Sequence, residues 1–118
     1  MAAHNDKGKY GEQLALEYFT RLGYNILHQN WRCRHWEVDI IASKNNMLYF
    51  IEVKCRSSQH FGFPEESVSL KKIKHLIDAS EEYLFMYPQW QRIQFDVLSI
   101  SLYKKEEPVF FLIEDVYL

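Results

Sequence analysis

The sequence predicts a single mixed α/β domain, with elements in the order α-β-β-β-α-β-β and a five-stranded mixed sheet flanked by helices. Three observations lead there. An apolar stripe at helical spacing runs through Leu14, Ala15, Tyr18, Phe19 and Leu22. The run MLYFIEVKC at 47–55 is apolar on both faces, as a central strand covered on both sides requires. A second amphipathic helix separates that run from another strand, and a strand-helix-strand crossover sets its two strands parallel. A chain of 118 residues has room for one core and little more, so residues 1–118 are read as one domain.

The elements follow in order. Asn5 or Asp6 is a candidate cap for the first helix, and Gly23 is a natural residue to end it. A short strand is expected over 24–30, followed by a basic, aromatic connection over 31–36. VDIIAS at 38–43 is the second strand, and Asn45-Asn46 is a turn signal because asparagine tolerates positive φ. The third strand, 47–55, leads into a polar loop over 57–66 with Gly62 and Pro64. Ser69 is the expected cap of the second helix, with Val68 and Ile73 placed as a hydrophobic staple. Ile73, Leu76, Ile77, Ser80, Leu84 and Tyr87 form its expected buried face, and Pro88 ends it. Strands four and five are expected over 93–102 and 109–114, joined by a turn over 104–108.

Composition narrows the function classes. Apolar residues at 47% and charged residues at 25% exclude a disordered, collagen-like or coiled-coil chain. Apolar runs such as 47–51 and 109–113 fall far short of the roughly 20 residues of a membrane span. Residues 1–10 hold no apolar segment of a secretory signal, and Cys33 and Cys55 do not make a disulfide framework, so a reducing cytoplasm is the expected setting. The net charge of −2 is unevenly spread, with +3 over residues 28–75 and −5 over residues 76–118. A basic middle in an acidic chain suits a local anion contact better than a general polyanion coat.

The residues that carry chemistry are polar ones inside the two best strands. Glu52 and Lys54 interrupt the third strand and share a face with Leu48 and Phe50. Asp39 interrupts the second, on the expected face of Glu37 and Ile41. If Asn45-Asn46 is a two-residue hairpin loop, paired positions sum to 91, so Asp39 faces Glu52 and Glu37 faces Lys54. Opposed like charges destabilise a sheet. A shared proton accounts for the two acids, and so does a hard divalent cation, with Lys54 beside it to hold an anionic oxygen or orient a water. A Glu37–Lys54 salt bridge with the acids solvated at a sheet end is the structural alternative. Glu12 lies at the edge of the first helix's stripe, within reach of a site at the helix–sheet boundary, while Glu17 faces water.

The residues Gly11-Glu12, Gly23-Tyr24, Ile26-Leu27, Asn30, Glu37-Val38-Asp39-Ile40-Ile41-Ala42, Phe50-Ile51-Glu52-Val53-Lys54 and Arg56 together resemble the YraN-like family of uncharacterised bacterial proteins. The Phe61-Gly62 and Pro64-Glu65-Glu66 segment and Phe95-Asp96-Val97 fit the same pattern, so the resemblance covers nearly the whole chain. That family is similar to restriction-endonuclease-like proteins and Holliday-junction resolvases of the PD-(D/E)xK type. The resemblance implies a restriction-endonuclease-like fold and a Mg²⁺- or Mn²⁺-dependent nuclease hydrolysing phosphodiester bonds in DNA. Asp39, Glu52 and Lys54 match its signature, with Asp39 and Glu52 as metal ligands and Glu12 as the acid of the first helix. Two departures stand out: Trp36 replaces the glycine usual before Glu-x-Asp, and no proline precedes Asp39. A non-catalytic nucleic-acid-binding module of the same fold is the rival reading, and a homodimer is compatible with both.

Arg56, Lys71, Lys72 and Lys74, with His75 beside them, are candidate phosphate contacts, aided by the positive end of the second helix. The same lysines also suit an ordinary solvated helix face. Trp31, Trp36 and Phe61 are candidates for stacking unpaired bases, and equally for the core. His28, Cys33, His35 and Cys55 lack zinc-site spacing, and no Walker loop, GxGxxG or Ser-His-Asp pattern is present.

Overall fold

A computed structural model describes residues 3–56, 69–103 and 106–116. The expected loop over 57–66, the staple residue Val68, Phe61 and Lys104 with Lys105 of the 104–108 turn lie outside the described residues. The elements are α1 (Ala3–Arg21), β1 (Asn25–Cys33), β2 (Trp36–Lys44), β3 (Met47–Arg56), α2 (Leu70–Met86), β4 (Ile93–Ser101) and β5 (Val109–Ile113). The five strands form one sheet in sequential order, antiparallel throughout except for the parallel pair β3–β4. The expected element order, mixed sheet and parallel crossover pair are all present. Among the described residues no helix is long and apolar enough to cross a membrane.

α1 begins at Ala3, so Asn5 and Asp6 lie inside the helix rather than capping it. Its far end matches expectation. Gly23 has φ +92, its N–H donates to Thr20 O at 3.1 Å, and Tyr24 N donates to Phe19 O at 3.0 Å. Those two bonds are a Schellman motif, and the Phe19 and Tyr24 rings meet edge to face at 5.0 Å as its apolar clasp. Ala15 and Phe19 are buried on Ile40, Ala42, Ile51, Leu98 and Ile100, so α1 covers one face of the sheet. Gly11 is buried where a Cβ would collide with Cys55 Sγ, which lets α1 sit close over β3.

α2 covers the other face. Ser69 caps it, its side chain accepting from Lys72 N at 3.2 Å. Leu76, Ala79 and Tyr83 pack on Val38, Ile41, Leu48 and Phe50. The buried face is Ile73, Leu76, Ala79, Ser80 and Tyr83, so Ala79 and Tyr83 take the place expected for Ile77 and Leu84, which are only half-buried. Tyr83 earns its burial through its ring, which meets Phe50, Trp31 and Tyr87, and through its hydroxyl, 3.1 Å from His28 Nε2.

The connection expected over 31–36 is shorter than its composition suggests. β1 runs on to Cys33, β2 starts at Trp36, and Arg34-His35 alone make the turn, with Arg34 at φ +59. Trp31 belongs to the α2-side core. On β4, Asp96 is fully buried, and its Oδ1 accepts from Gln94 Nε2 at 3.0 Å and from Asp115 N at 2.9 Å. Asp96 thus pins the turn after β5, and burial pushes its carboxyl above the usual range.

Candidate functional site

The site lies where two strands part. Asn45 and Asn46 have φ +53 and +67, the paired positive values of a two-residue hairpin turn. The β2–β3 ladder then runs from Lys44–Met47 to Ile40–Ile51 in the predicted register. It stops one pair short of Asp39 and Glu52. There the Asp39 carboxylate takes over, its Oδ2 accepting the Val53 N–H at 2.8 Å. A side chain replaces a backbone partner, and the strands fork. β2 stays paired with β1 out to Cys33–Trp36, while β3 stays paired with β4 out to Arg56–Ser101.

The strict alternation expected along β2 also fails here. Val38 and Ile41 are three residues apart yet both buried in the α2-side core. On β1, Gln29 faces Ile40 and Trp31 faces Val38, which leaves Asn30 opposite Asp39. Asn30 has φ +49 and donates from Nδ2 to Glu12 Oε1 at 3.4 Å. Asp39 therefore looks both ways. On the α1 side it borders a cavity of about 10 Å³ with Glu12, Asn30 and Val53, close to the smallest that holds a water. On the α2 side it borders a groove of about 380 Å³ with Glu52, Lys71, Lys72 and His75.

Glu52 is held by two ammonium groups. Lys54 Nζ lies 3.9 Å and Lys72 Nζ 3.7 Å from the same atom, Glu52 Oε2. Lys72 comes from the first turn of α2, so that turn is docked onto the β3 acid. Glu37 does not face Lys54, because the ladder ends before their positions meet. It pairs instead with Arg32 across β1–β2 at 3.0 Å, in an exposed contact that contributes little stability. The Glu37–Lys54 bridge of the structural alternative is thus replaced.

Crowding sets the electrostatics. Desolvation is the main cause that pushes the Asp39 carboxyl up to about 7; Glu52 adds to it, the Val53 N–H opposes it, and Glu37 and Glu12 push further up. Lys54 is driven below the usual lysine range, first by desolvation and then by its hydrogen bond with Lys72 and that neighbour's charge, against the pull of Glu52 and Asp39.

Of the expected phosphate contacts, Lys71 is exposed and Lys72 joins the site. Lys74 is paired with Asp78 at 3.3 Å on its own helix. Arg56 is buried at the end of β3, only 8% exposed. His75, which with these lysines begins α2 and is expected near phosphates, borders the groove, and its Nε2 accepts the Glu37 N–H at 3.4 Å. Two roles escaped the sequence reading: Asn30 as the link to Glu12, and Lys72 as a second cation on Glu52. Only Asn30 left a signal, as an asparagine inside a strand, where its tolerance of positive φ is the usual reason for one.

Among the described residues no group of three His, Cys, Asp or Glu gathers as a ready cage for a metal. His28, one of the weak zinc candidates, is spent on Tyr83. Asp39 and Glu52 offer two carboxylates from separate strands beside an open polar groove, a donor set that suits a hard cation completing its shell with water. Fold and site together define a mixed α/β domain with two acids and a lysine at a strand fork.

The chain belongs to UPF0102, an uncharacterised protein family, whose model matches residues 11–100 and so takes in Glu12, Asn30, Asp39, Glu52, Lys54 and Lys72. This bears out the YraN-like resemblance at the level of the family. The chain is 43% identical over 106 residues to a UPF0102 protein of Flavobacterium psychrophilum, across 90% of this chain and 89% of that one. It is 43% identical over 100 residues to one from Bacteroides thetaiotaomicron, across 85% and 83% of the two chains. A relative from Persephonella marina is 40% identical over 95 residues, across 80% and 82%.

Proposed function

We propose that the protein is a metal-dependent nuclease that hydrolyses phosphodiester bonds in DNA, working in the cytoplasm. The observation that carries this reading is the fork itself. Asp39 is wedged onto Val53 N at 2.8 Å beside Glu52, and Lys54 lies on the same face as Glu52. Apolar strands gain nothing in stability from that grouping. Asp39 and Glu52 would hold Mg²⁺ or Mn²⁺, with the Val53 carbonyl as a third donor. Such a cation, when bound, polarises a phosphoryl oxygen and acidifies water. Lys54 orients the attacking water or holds a non-bridging phosphate oxygen. The water oxygen bonds to phosphorus as the ester bond to the leaving sugar breaks. Glu12 acts at a distance, through Asn30 and the small cavity it shares with Asp39.

The test is cleavage of branched and gapped DNA by the purified protein with Mg²⁺ and with Mn²⁺, beside Lys54→Ala. Loss of a positioned proton-transfer or charge-stabilising group should slow cutting by about 10²–10⁴-fold, with the fold intact by circular dichroism. A wild type that cuts no nucleic acid with any divalent ion, yet binds DNA in chelator, returns the protein to the second reading. That reading is a non-catalytic nucleic-acid-binding module, and it is favoured by Lys54 and Lys72, which both pair with Glu52.

A further inference from the structure

An aromatic ladder stands at the mouth of the groove and takes no part in the chemistry above. His35, in the β1–β2 turn, lies 4.1 Å from the Trp36 ring with the planes tilted by 40°. Trp36 in turn meets His75 of α2 at 5.0 Å, edge to face. Trp36 thus joins the hairpin tip to the helix that lines the groove. His75 borders the groove itself, next to Lys71 and Lys72. His35 is exposed, so the outer end of the row is open to solvent. Trp31 and Trp36 are both half-buried against the α2-side core, but Trp31 meets Tyr83 at 5.4 Å, whereas Trp36 meets the two histidines.

Cations surround the row. The guanidinium groups of Arg32 and Arg34 flank the hairpin tip, each side chain 76% exposed, Arg32 paired with Glu37 at 3.0 Å and Arg34 with Glu82 at 4.0 Å in solvent-exposed contacts that a phosphate can displace. Lys71 is exposed at the first turn of α2 and makes no ion pair among the described residues. Three rings in successive contact, with exposed cations beside them and a polar groove at one end, match one ligand chemistry well. A nucleobase presents a π-face and is followed at fixed distance by a phosphate. Bases inside a duplex are stacked on their neighbours and cannot reach a protein ring without being unstacked first.

We infer that the His35–Trp36–His75 ladder is a stacking platform for an unpaired nucleobase, which selects single-stranded, gapped or branched DNA over continuous duplex. This rests on the nuclease reading only for the choice of nucleic acid as ligand. The base extends the row at its open, His35 end, and its flanking phosphates meet Arg32, Arg34 and Lys71.

The test measures binding in chelator, where cleavage plays no part. Probes are a fluorescein-labelled single-stranded 20-mer, a gapped duplex and a blunt duplex of equal length at one salt concentration. The variants are Trp36→Leu, which keeps an apolar side chain but removes the π-face, and His35→Ala, at an exposed turn, each checked for fold by circular dichroism. Wild type should prefer the single-stranded and gapped probes, and each variant should lose about five- to hundredfold on those probes, with duplex binding little changed. Tryptophan fluorescence should be quenched by the single strand in wild type and much less in Trp36→Leu. Equal wild-type affinity for all three probes overturns the inference, as does a His35→Ala protein that keeps the preference in full. Mg²⁺-dependent cutting of duplex by a wild type without that preference would leave the nuclease reading standing alone.

Discussion

Asp39→Asn tests the fork through stability. The Asp39 carboxyl is pushed up to about 7 from an ordinary 3.8, chiefly by desolvation and by Glu52. Between those values the native state binds a proton that the unfolded chain has released. The native state then holds more protons, so stability must fall as pH rises from about 4 to 7, and level off above. At about 1.4 kcal/mol per pH unit, the shift sets a ceiling of about 4 kcal/mol on the penalty carried by wild type at pH 8. The asparagine has no proton to lose. Its Oδ1 still accepts from Val53 N, at a cost of about 1 kcal/mol for exchanging a charged acceptor for a neutral one. In chelator at pH 8 the variant should therefore be the more stable, by about 2–3 kcal/mol, or roughly 10 °C in melting temperature. Near pH 4 the gain should vanish.

The assay is a set of thermal melts of both proteins from pH 4 to 8, with chelator and then with Mg²⁺. Taking the difference between the two proteins cancels carboxyls common to both, Asp96 among them. Mg²⁺ should raise the wild-type midpoint by mass action, about 2.7 kcal/mol at a hundredfold excess over the dissociation constant, and leave the variant nearly unmoved. An Asp39→Asn protein that is several kcal/mol less stable in chelator at pH 8, with no Mg²⁺ response in wild type, would refute the reasoning. It would make Asp39 a paired structural anion whose loss strands a cation.

Two further outcomes follow from the packing and the charges. Lys71→Ala should lower the slope of log K against log salt for duplex DNA by nearly one unit, while Lys74→Ala, whose ammonium is held by Asp78, should leave it in place; equal slopes in all the proteins would make these lysines plain solvated surface. Gly11→Ala puts a methyl group against Cys55 Sγ and should cost about 1–3 kcal/mol by overpacking; pairing it with Cys55→Ala should recover most of that loss in a double-mutant cycle, and a fully additive cycle would locate the strain elsewhere.

Much of this architecture is legible in the chain. The all-apolar β3 has to be central, and the crossover through α2 has to set β3 and β4 parallel. Asn45-Asn46 pins a register that holds from Lys44–Met47 to Ile40–Ile51. What fails to show is where the register ends. Pairing arithmetic assumes a continuous ladder, and nothing local marks the point at which a side-chain oxygen displaces a backbone partner. The Glu37–Lys54 contact is lost for that reason, and Arg32 takes Glu37 instead. The buried face of α2 is displaced by packing, since Tyr83 has both rings and a hydroxyl acceptor to meet whereas Leu84 has neither. Lys72 is one of three lysines within four residues of α2, and only the docking angle of the helix separates it from Lys71 and Lys74. The family pattern around Asp96 marks a fold constraint, with its oxygen pinning the Asp115 turn rather than facing the groove.

The fork also explains how one small sheet can hold mutually repelling acids. β2 is carried away by its ladder with β1, and β3 is kept straight by its ladder with β4, so neither strand depends on the other beyond Ile40–Ile51. Backbone that would otherwise be paired is satisfied by Asp39 at Val53. α1 brings Glu12 to one side of the opening and α2 brings Lys72 to the other, so the converging charges come from four separate elements. Glu52 is stabilised in part by Lys54 and Lys72, but Asp39 carries a penalty that reaches about 4 kcal/mol at neutral pH, which its bond to Val53 N only partly offsets. Folding stability therefore gives little reason for a second carboxylate beside Glu52. On the proposed reading, a cation held jointly by the two carboxylates would supply that reason, because only binding to the native state turns their repulsion into a gain.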